Sequence, residues 1–330
     1  MTGAPLMQAV WSSNPFVSPE SFRLKVYLQL LAVAVFWGAT WVAGRVAVGE
    51  ASPLAVASWR FLLAALALGG LLVVRQGWPR WQCWNRQQWT LVCALGASGI
   101  FLYNVCFLYG LKHIEAGRGA LVVALTPAVI ALTDWLLHGA QMTVRKAAGI
   151  LIAMLGCLLV VTKGDPGALI HGAVGLGEIL IIGCVVLWTA YTFYGRSATK
   201  LMSPLAATFG AALTGWAMLT LAALVDGSLF ALSALSWKGV SSIAFLGLLG
   251  TAIAFTWYAA GVHKIGATRA GAFINLVPVF AVLLGALLLD ERLPGSVLLG
   301  GALVLTGVLI TNRAPAPPTA PAKLAGELPP

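Results

Sequence analysis

Ten long apolar runs leave this sequence few folds to choose from. Each run has about 20 residues, the length that an α-helix needs to cross the hydrocarbon core of a bilayer. Strands of a membrane barrel would alternate apolar and polar residues over about ten positions, whereas these runs are continuous. We therefore expect an all-α, polytopic membrane protein with ten transmembrane helices. The predicted spans are Tyr27–Val48, Pro53–Val74, Trp89–Tyr109, Gly117–Leu137, Arg145–Thr162, Val174–Gly195, Pro204–Val225, Trp237–Ala260, Thr268–Leu289 and Gly295–Asn312.

The composition excludes an ordinary soluble enzyme. Of the 330 residues, 60% are hydrophobic and only 9% are charged, against roughly 25% charged in a soluble globular domain. A net charge of +10 can indicate nucleic-acid or anionic-lipid binding, but so few charged residues supply little surface for a nucleic acid. We expect a monomeric chain in a lipid bilayer that binds no nucleic acid. The four histidines are too dispersed for a metal site, and no cofactor is expected.

Lysine and arginine are distributed unequally between the two sides of the expected bundle. With ten spans, both termini and the loops after the even-numbered spans lie on one side. That side collects thirteen of these residues, against six on the other. Cytoplasmic loops carry the excess of Lys and Arg in membrane proteins. Both termini are therefore predicted to be cytoplasmic.

The two halves of the chain repeat each other. A shift of 151 residues places Ser52–Ala55 on Ser203–Ala206 and Pro127 on Pro278 without gaps. Each half contains five spans, an odd number, so equivalent residues lie on opposite sides of the membrane and the halves are inverted. The expected units are a cytoplasmic segment 1–26, a first repeat 27–162, an outer linker 163–173, a second repeat 174–312 and a disordered cytoplasmic tail 313–330.

Inverted repeats predict transport. Such a chain has two states of similar energy, one open to each side, because its halves can exchange conformations. Secondary transporters use this symmetry and bind their substrate near the midplane, between the repeats. A duplicated scaffold without transport activity is the alternative interpretation, although the short connecting loops leave little room for a separate soluble site.

Several motifs carry a resemblance to a known family. They are Phe36-Trp37-Gly38, the stretch from Pro53 to Arg60-Phe61, the prolines Pro127 and Pro278, and Asp290-Glu291-Arg292-Leu293 before a glycine-rich last span. Over about residues 26–312 the chain resembles the EamA-type branch of the drug/metabolite transporter superfamily. Within that branch it is most similar to the bacterial amino-acid exporters of the YddG type. The resemblance implies two inverted five-helix halves in the bacterial inner membrane. Where that branch has an acidic turn after the fourth span, this chain has Ala140, the repeat mate of Glu291.

Two mirrored stripes predict the wall of a substrate cavity. The spacing i, i+3, i+4 places polar and aromatic residues on one face of the first span, and their repeat mates do the same in the sixth. Aromatic rings stack on flat apolar substrates, and indole and phenol groups also form hydrogen bonds. For any single tryptophan, anchoring at the membrane interface is the alternative. The expected cavity residues are Trp37, Thr40, Trp41, Tyr103, Asn104, Phe107, Trp188, Tyr191, Thr192, Trp257 and Asn275.

The fourth and ninth spans have matching irregularities. Pro127 and Pro278 should kink the fourth and ninth spans, since proline removes an intrahelical hydrogen bond. Breaks at corresponding positions of two halves indicate a binding site or a hinge, and a static kink is an equally good interpretation. Arg118 and Arg269 begin these spans and are expected to be interfacial anchors.

Charged residues within spans are costly and each needs a hypothesis. Arg60 lies about 10 Å from the outer end of the second span. The preferred expectation is that it snorkels to that interface, and the second is that it reaches the cavity and holds a substrate carboxylate. Its repeat mate is Ala211, so the symmetry is broken there. Asp134 and Glu178 could bind a coupling proton, or they could simply be solvated near the span ends.

The scarcity of deep cations argues against phosphorylated substrates, which need several. We expect a secondary transporter that exports small neutral or zwitterionic metabolites, particularly aromatic or hydrophobic amino acids, by alternating access. A channel-like passive facilitator is the alternative. An intramembrane enzyme is a weaker one, because neither a nucleophile–base pair nor a metal cluster stands out at membrane depth.

Overall fold

The computed structural model of the chain describes residues 19–77, 84–165, 167, 174–231 and 235–312, with the backbone alone for 19–23, 76, 267 and 268. Residues 1–18 of the expected cytoplasmic segment, most of the linker 163–173 and the whole expected tail 313–330 lie outside these ranges. Within the described ranges all regular secondary structure is helical. Ten of the helical units are long and apolar enough to cross a membrane, which confirms the predicted fold class.

The helices are numbered by span. They are α1 (Pro19–Glu50), α2 (Pro53–Gln76), α3 (Arg86–Leu111), α4a (Ala116–Val123), α4b (Thr126–His138), α5 (Val144–Thr162), α6 (Leu176–Ala198), α7 (Pro204–Val225), α8 (Trp237–Ile265), α9a (Ala267–Ile274), α9b (Val277–Leu289) and α10 (Gly295–Asn312).

Several helices are longer than the apolar runs predict, among them α1 and α8. Helix α1 begins eight residues before the predicted start, at Pro19, a residue that suits the first turn because its missing N–H would be unpaired there. Helix α8 continues past Ala260 to Ile265 and ends at Gly266, whose φ of 86° is a conformation that favours glycine. Hydropathy marks the part of a helix that lies in lipid, whereas caps and glycines decide where the helix ends.

The two halves have the same irregularities at repeat-equivalent positions. The fourth span is interrupted at residues 124–125 and the ninth at 275–276, and in each case a proline follows within the first two residues of the next helix. A π-helical turn interrupts α3 at Gly96–Leu102 and another interrupts α8 at Leu248–Ile253. The prolines therefore fall where kinks were expected, while the π turns were not predicted.

Glycine contacts between helices also follow the repeat. Helices α5 and α10 approach so closely that a Cβ atom added at Gly156 would lie 2.6 Å from the carbonyl oxygen of Gly300. The repeat-equivalent contact joins Gly307 to the carbonyl oxygen of Gly149. Small residues allow helix backbones to approach closely in lipid. Helices α5 and α10 therefore form a closely packed pair to which each half contributes one helix and equivalent glycines.

Two faces of the bundle need names. The odd-numbered helices begin at the face on which Pro19 and Asn312 lie, and we call it the terminal face. Helices α1, α3 and α5 end at the other side, the opposite face, where α4a begins and α9b ends. This alternation places the helix breaks and the π turns within the bundle, between the two faces.

Candidate functional site

An aromatic cluster joins the two halves in the middle of the bundle. The rings of Trp37 and Trp188, which are repeat mates, both contact Phe255, with centroids 5.5 and 6.4 Å apart. Trp188 also contacts Tyr103 at 5.3 Å and Tyr191 at 5.1 Å. Most of these pairs are tilted or edge-on, the arrangements that aromatic quadrupoles favour. Two tryptophans from opposite halves therefore form one surface.

The remaining expected cavity residues have different surroundings. The hydroxyl groups of Thr40 and Thr192 donate to carbonyl oxygens of their own helices, those of Trp37 and Trp188. Both hydroxyls therefore bind their own helix instead of pointing freely at a substrate. Trp257 contacts Phe36, at 6.1 Å. Asn275 lies at the break of the ninth span, and Phe107 stacks against Tyr103 and the edge of Trp41.

Trp41 belongs to the closure of the opposite face. It is 4% exposed, and a Cβ atom added at Gly119 in α4a would lie 2.6 Å from its ring. Its hydrophobic surface thus packs against the start of the fourth span, whereas Trp37, one turn earlier, is only partly buried. The stripe predicted on α1 is therefore divided, with Trp41 in the packed contact at the opposite face and Trp37 in the central aromatic cluster.

Arg60 lies at depth and does not snorkel. It is 8% exposed, with Nη1 donating to Asn104 Oδ1 at 3.0 Å and Nη2 donating to Thr251 Oγ1 at 3.2 Å. The guanidinium also lies over the ring of Phe61, 4.9 Å from its centroid, a favourable cation–π geometry. The preferred expectation for this residue is therefore wrong, because polar partners on α3 and α8 hold the side chain inside the bundle.

Both partners of Arg60 lie in or just after a π turn. Thr251 lies in the π turn of α8 and donates to the carbonyl oxygen of Leu246, five residues earlier, at 2.8 Å. Asn104 follows the π turn of α3 and donates to the carbonyl oxygen of Ile100 at 2.7 Å. Single π turns occur frequently at functional sites. Here backbone carbonyl groups of Ile100 and Leu246, in and beside the π turns, accept from the two side chains that in turn accept from the guanidinium.

Glu291 fastens the ninth span to the start of the fourth at the opposite face. Its side chain is 5% exposed, and its carboxylate accepts from the backbone N–H groups of Ala116 at 2.7 Å and Gly117 at 3.0 Å. Arg45 lies 3.5 Å from the same carboxylate and also donates to the carbonyl oxygen of Ile114. A carboxylate at a helix N-terminus pairs with unsatisfied N–H groups and with the positive end of the helix dipole.

A buried ion pair strengthens the same closure. Arg118 in α4a is 3% exposed and lies 2.6 Å from Glu178 of α6, while it donates to the carbonyl oxygens of Val160 and Val161 in α5. The expectation that Arg118 is an interfacial anchor is wrong, because the start of α4a is enclosed by neighbouring helices. The interpretation of Glu178 as a solvated carboxylate is wrong for the same reason. Its possible part in proton coupling stays a prediction.

The terminal face is closed less completely. Residues 116–122 of α4a are buried and pack on α9b, whereas α9a exposes Arg269 and Ala272 and has no comparable packing against α4b among the described residues. The repeat mate of Glu291 is Ala140, which offers no carboxylate. A half-exposed ion pair joins Asp134 to Arg196, with Oδ2 and Nη1 2.9 Å apart. One conformation of a pseudo-symmetric bundle is thus represented, closed at the opposite face.

A small cleft reaches the aromatic cluster from the terminal half of α1. In this conformation it is too narrow to admit even a water molecule, far from the 300–1,000 Å³ of typical small-molecule pockets, so a substrate would need the cleft to widen. Its lining includes Trp37 and Tyr258, whose rings are 5.4 Å apart. The other lining residues are Leu30, Val33, Ala34, Phe273 and Ile274.

Comparison with known proteins identifies this architecture. The EamA-like transporter family matches residues 24–162 and, again, residues 175–313. The chain belongs to this family. The two matched segments of the chain correspond to its two five-helix halves, so the family assignment and the fold rest on the same repeat.

Two relatives align with this chain over nearly their full lengths. The uncharacterized transporter YyaM of Bacillus subtilis is 30% identical over 290 residues, 88% of this chain and 94% of that protein. A probable terminal-alkyne amino-acid exporter of Streptantibioticus cattleyicolor is 26% identical, with 88% of this chain and 94% of that protein covered. A crystal structure 19% identical covers 88% of this chain and 97% of its own, with a TM-score of 0.61, and shows the fold alone. The chain is thus a multi-pass membrane transporter of small molecules, and its relatives are named as transporters, not enzymes.

Sequence reasoning did not find every residue of the site in this family member. Thr251 was overlooked, although a threonine between apolar residues in the middle of a predicted span is a usable signal. Glu291 was noted only within a family motif, and its bond to the start of the fourth span was not anticipated. Pro127 is half-buried and Pro278 buried, each at the start of the helix that follows a break.

Proposed function

We propose that this transporter exports aromatic or hydrophobic amino acids across the bacterial inner membrane by alternating access. The observation that carries the proposal is the unequal packing of two repeat-equivalent helices. Helix α4a is enclosed at the opposite face, while its mate α9a, which buries Ala270 against α1, is enclosed less completely at the terminal face. Exchange of these two arrangements would close the terminal face on α9a and free α4a from α9b.

The less closed face is the side from which this conformation would accept substrate. The excess of Lys and Arg favours a cytoplasmic terminal face, so that side would be the inside of the cell. One relative is named a probable amino-acid exporter, which supports both the direction and the substrate class. The aromatic cluster supports aromatic cargo, because two indole groups and two phenol groups offer flat apolar surface together with hydrogen-bonding groups.

Counterflow in liposomes tests this function. Purified protein is reconstituted into vesicles loaded with unlabelled L-phenylalanine or L-tryptophan, and uptake of the labelled amino acid is followed. We expect saturable uptake that is accelerated by the internal amino acid, a property of carriers that a channel lacks. Equal flux from empty and loaded vesicles would indicate a passive facilitator, and no flux for any amino acid tested would refute the proposal.

A tryptophan comparison connects transport to the cluster. Trp188→Ala removes a ring that contacts Tyr103, Tyr191 and Phe255, and we expect it to reduce counterflow about tenfold or more, since a buried aromatic contact contributes roughly 1–3 kcal/mol. Trp135→Ala is the matched control, because Trp135 is 44% exposed in α4b. Equal loss of transport in both variants, at equal amounts of folded protein, would remove the cluster from the site.

A further inference from the structure

Arg60 is a buried cation that has more hydrogen-bond donors than partners. The guanidinium has five N–H donors, and the described residues show one acceptor at Nη1, one at Nη2 and none at Nε. Among the described residues it forms no ion pair with an acidic side chain. Charges at membrane depth are costly unless something compensates them, and two neutral oxygens compensate this one only in part.

The partners of Arg60 connect it to the aromatic cluster. Asn104 follows Tyr103, whose ring contacts Trp188. Thr251 follows Gly250, whose carbonyl oxygen accepts a hydrogen bond from the indole Nε1 of Trp37 at 3.1 Å. Helices α3 and α8 therefore each present, at adjacent positions, one group that holds the guanidinium and one that holds the aromatic cluster.

We propose that Arg60 binds the carboxylate of the transported molecule while its apolar part lies against the rings of Trp37 and Trp188. A planar guanidinium can hold a carboxylate with two parallel hydrogen bonds, and an anion supplies the missing charge. One arginine matches one negative charge, so the ligand class is the aromatic monocarboxylates, amino acids among them. The repeat mate of Arg60 is Ala211, so each chain has a single such anchor. The part that concerns transport rests on the proposed function.

Binding of three related probes to the purified full-length protein tests the anchor without requiring transport. L-phenylalanine has the ring, the ammonium group and the carboxylate; phenylalaninamide lacks the carboxylate; 3-phenylpropionate lacks the ammonium group. Affinities are measured by calorimetry in detergent. We expect the affinities for phenylalanine and 3-phenylpropionate to exceed that for phenylalaninamide at least roughly 30-fold, the effect typical of losing one partner of a buried charged pair. Equal affinity for phenylalanine and its amide, or binding of neither carboxylate, overturns the proposal.

Substitutions assign that preference to Arg60. Arg60→Gln should abolish the difference between the carboxylates and the amide, and Arg60→Lys should restore it in part, because an ammonium group keeps the charge but not the planar fork. Arg75→Gln is the control, since Arg75 belongs to the same helix and is exposed near its end. A carboxylate preference that survives in Arg60→Gln contradicts the proposal.

A second variant, Asn104→Asp, tests the anchor even if Arg60→Gln does not fold. Asn104→Asp is close to isosteric and places a carboxylate where Arg60 already donates, at 3.0 Å. The internal anion should compete with the ligand and weaken binding of 3-phenylpropionate roughly 30-fold, while phenylalaninamide, which has no carboxylate to be displaced, is not weakened. If both probes bind Asn104→Asp as they bind the wild type, the guanidinium is not the anchor.

Binding and transport fail in distinguishable ways. Arg60-dependent binding of carboxylates by a protein without counterflow would refute the proposed function and leave the anchor in place. Counterflow of phenylalanine and phenylalaninamide at equal rates, with equal affinities, would refute the anchor and leave amino-acid transport in place.

Discussion

Replacing Glu291 by glutamine should detach the fourth span from the ninth at the opposite face. In the structure one carboxylate accepts from the N–H groups of Ala116 and Gly117, at 2.7 and 3.0 Å. Glutamine has nearly the same shape, but it has one oxygen, and its NH₂ group faces a second donor. One buried N–H group at the start of α4a is then left without an acceptor.

The expected cost is about 2–4 kcal/mol for the conformation closed at the opposite face. A hydrogen bond to a charged group contributes about 1.5–3 kcal/mol, and a carboxylate at a helix N-terminus adds up to about 1 kcal/mol. The ion pair with Arg45, whose side chain is 35% exposed, contributes less than about 1 kcal/mol. Because about 1.4 kcal/mol corresponds to a factor of ten, the population in which α4a is detached should rise roughly 30-fold or more.

Cysteine labelling measures this population. Ala120 in α4a is 3% exposed, so a cysteine at this position, in a background without the native cysteines, reacts with a thiol reagent only when α4a separates. The labelling rate should rise in Glu291→Gln by the same factor as the population. Asp290→Asn is the control, because it removes the same charge one position earlier, at an exposed residue whose φ of 53° asparagine tolerates. Equal labelling rates for Glu291→Gln and Asp290→Asn would refute the role given to this carboxylate.

Two further predictions concern stability, measured as thermal unfolding in detergent. Gly156→Ala should lower the free energy of unfolding by about 1–3 kcal/mol, the usual cost of overpacking. Gly70→Ala is the control, because nothing lies within 4 Å of a Cβ atom added there, and it should leave the free energy of unfolding unchanged or raise it. Equal stabilities of the two variants would contradict the close contact between α5 and α10. Glu178→Gln should cost roughly 3 kcal/mol, because it removes the carboxylate 2.6 Å from buried Arg118 and leaves only the more exposed Glu115, 3.8 Å away, as an acidic partner. Asp134→Asn should cost less than about 1 kcal/mol in its half-exposed pair. The reverse order would show that the opposite face is not sealed by the Arg118–Glu178 pair.

The elements of this fold could be predicted because each depends on local sequence. Apolar runs of span length and a constant offset between the halves led to ten helices in two inverted repeats, and Pro127 and Pro278 marked where the fourth and ninth spans break. Proline acts on the helix that contains it. The π turns carry no such local mark, so Thr251 could not be placed beside Arg60 from the sequence.

The conformation of the bundle could not be predicted, because contacts between helices far apart in the sequence decide which end of the bundle is closed. Arg118 and Arg269 look equivalent as residues that begin a span, yet one is buried beside Glu178 and the other is exposed. Their difference arises from which end of the bundle is closed. For Arg60, the helical rise per residue gave the distance along the helix to the interface. Whether its side chain snorkels or stays buried depends on side chains of α2, α3 and α8, which the sequence does not bring together.

The symmetric contact between α5 and α10 has a consequence for the origin of the chain. A single five-helix unit could form the same glycine contact with an inverted second copy, but every residue would then occur twice in the assembly. Joining both copies in one polypeptide lets each position change without its mate. Arg60 opposite Ala211 and Glu291 opposite Ala140 are such changes, which a pair of identical copies could not have made. Duplication followed by divergence thus converts an assembly with two equal ends into a molecule whose two ends differ.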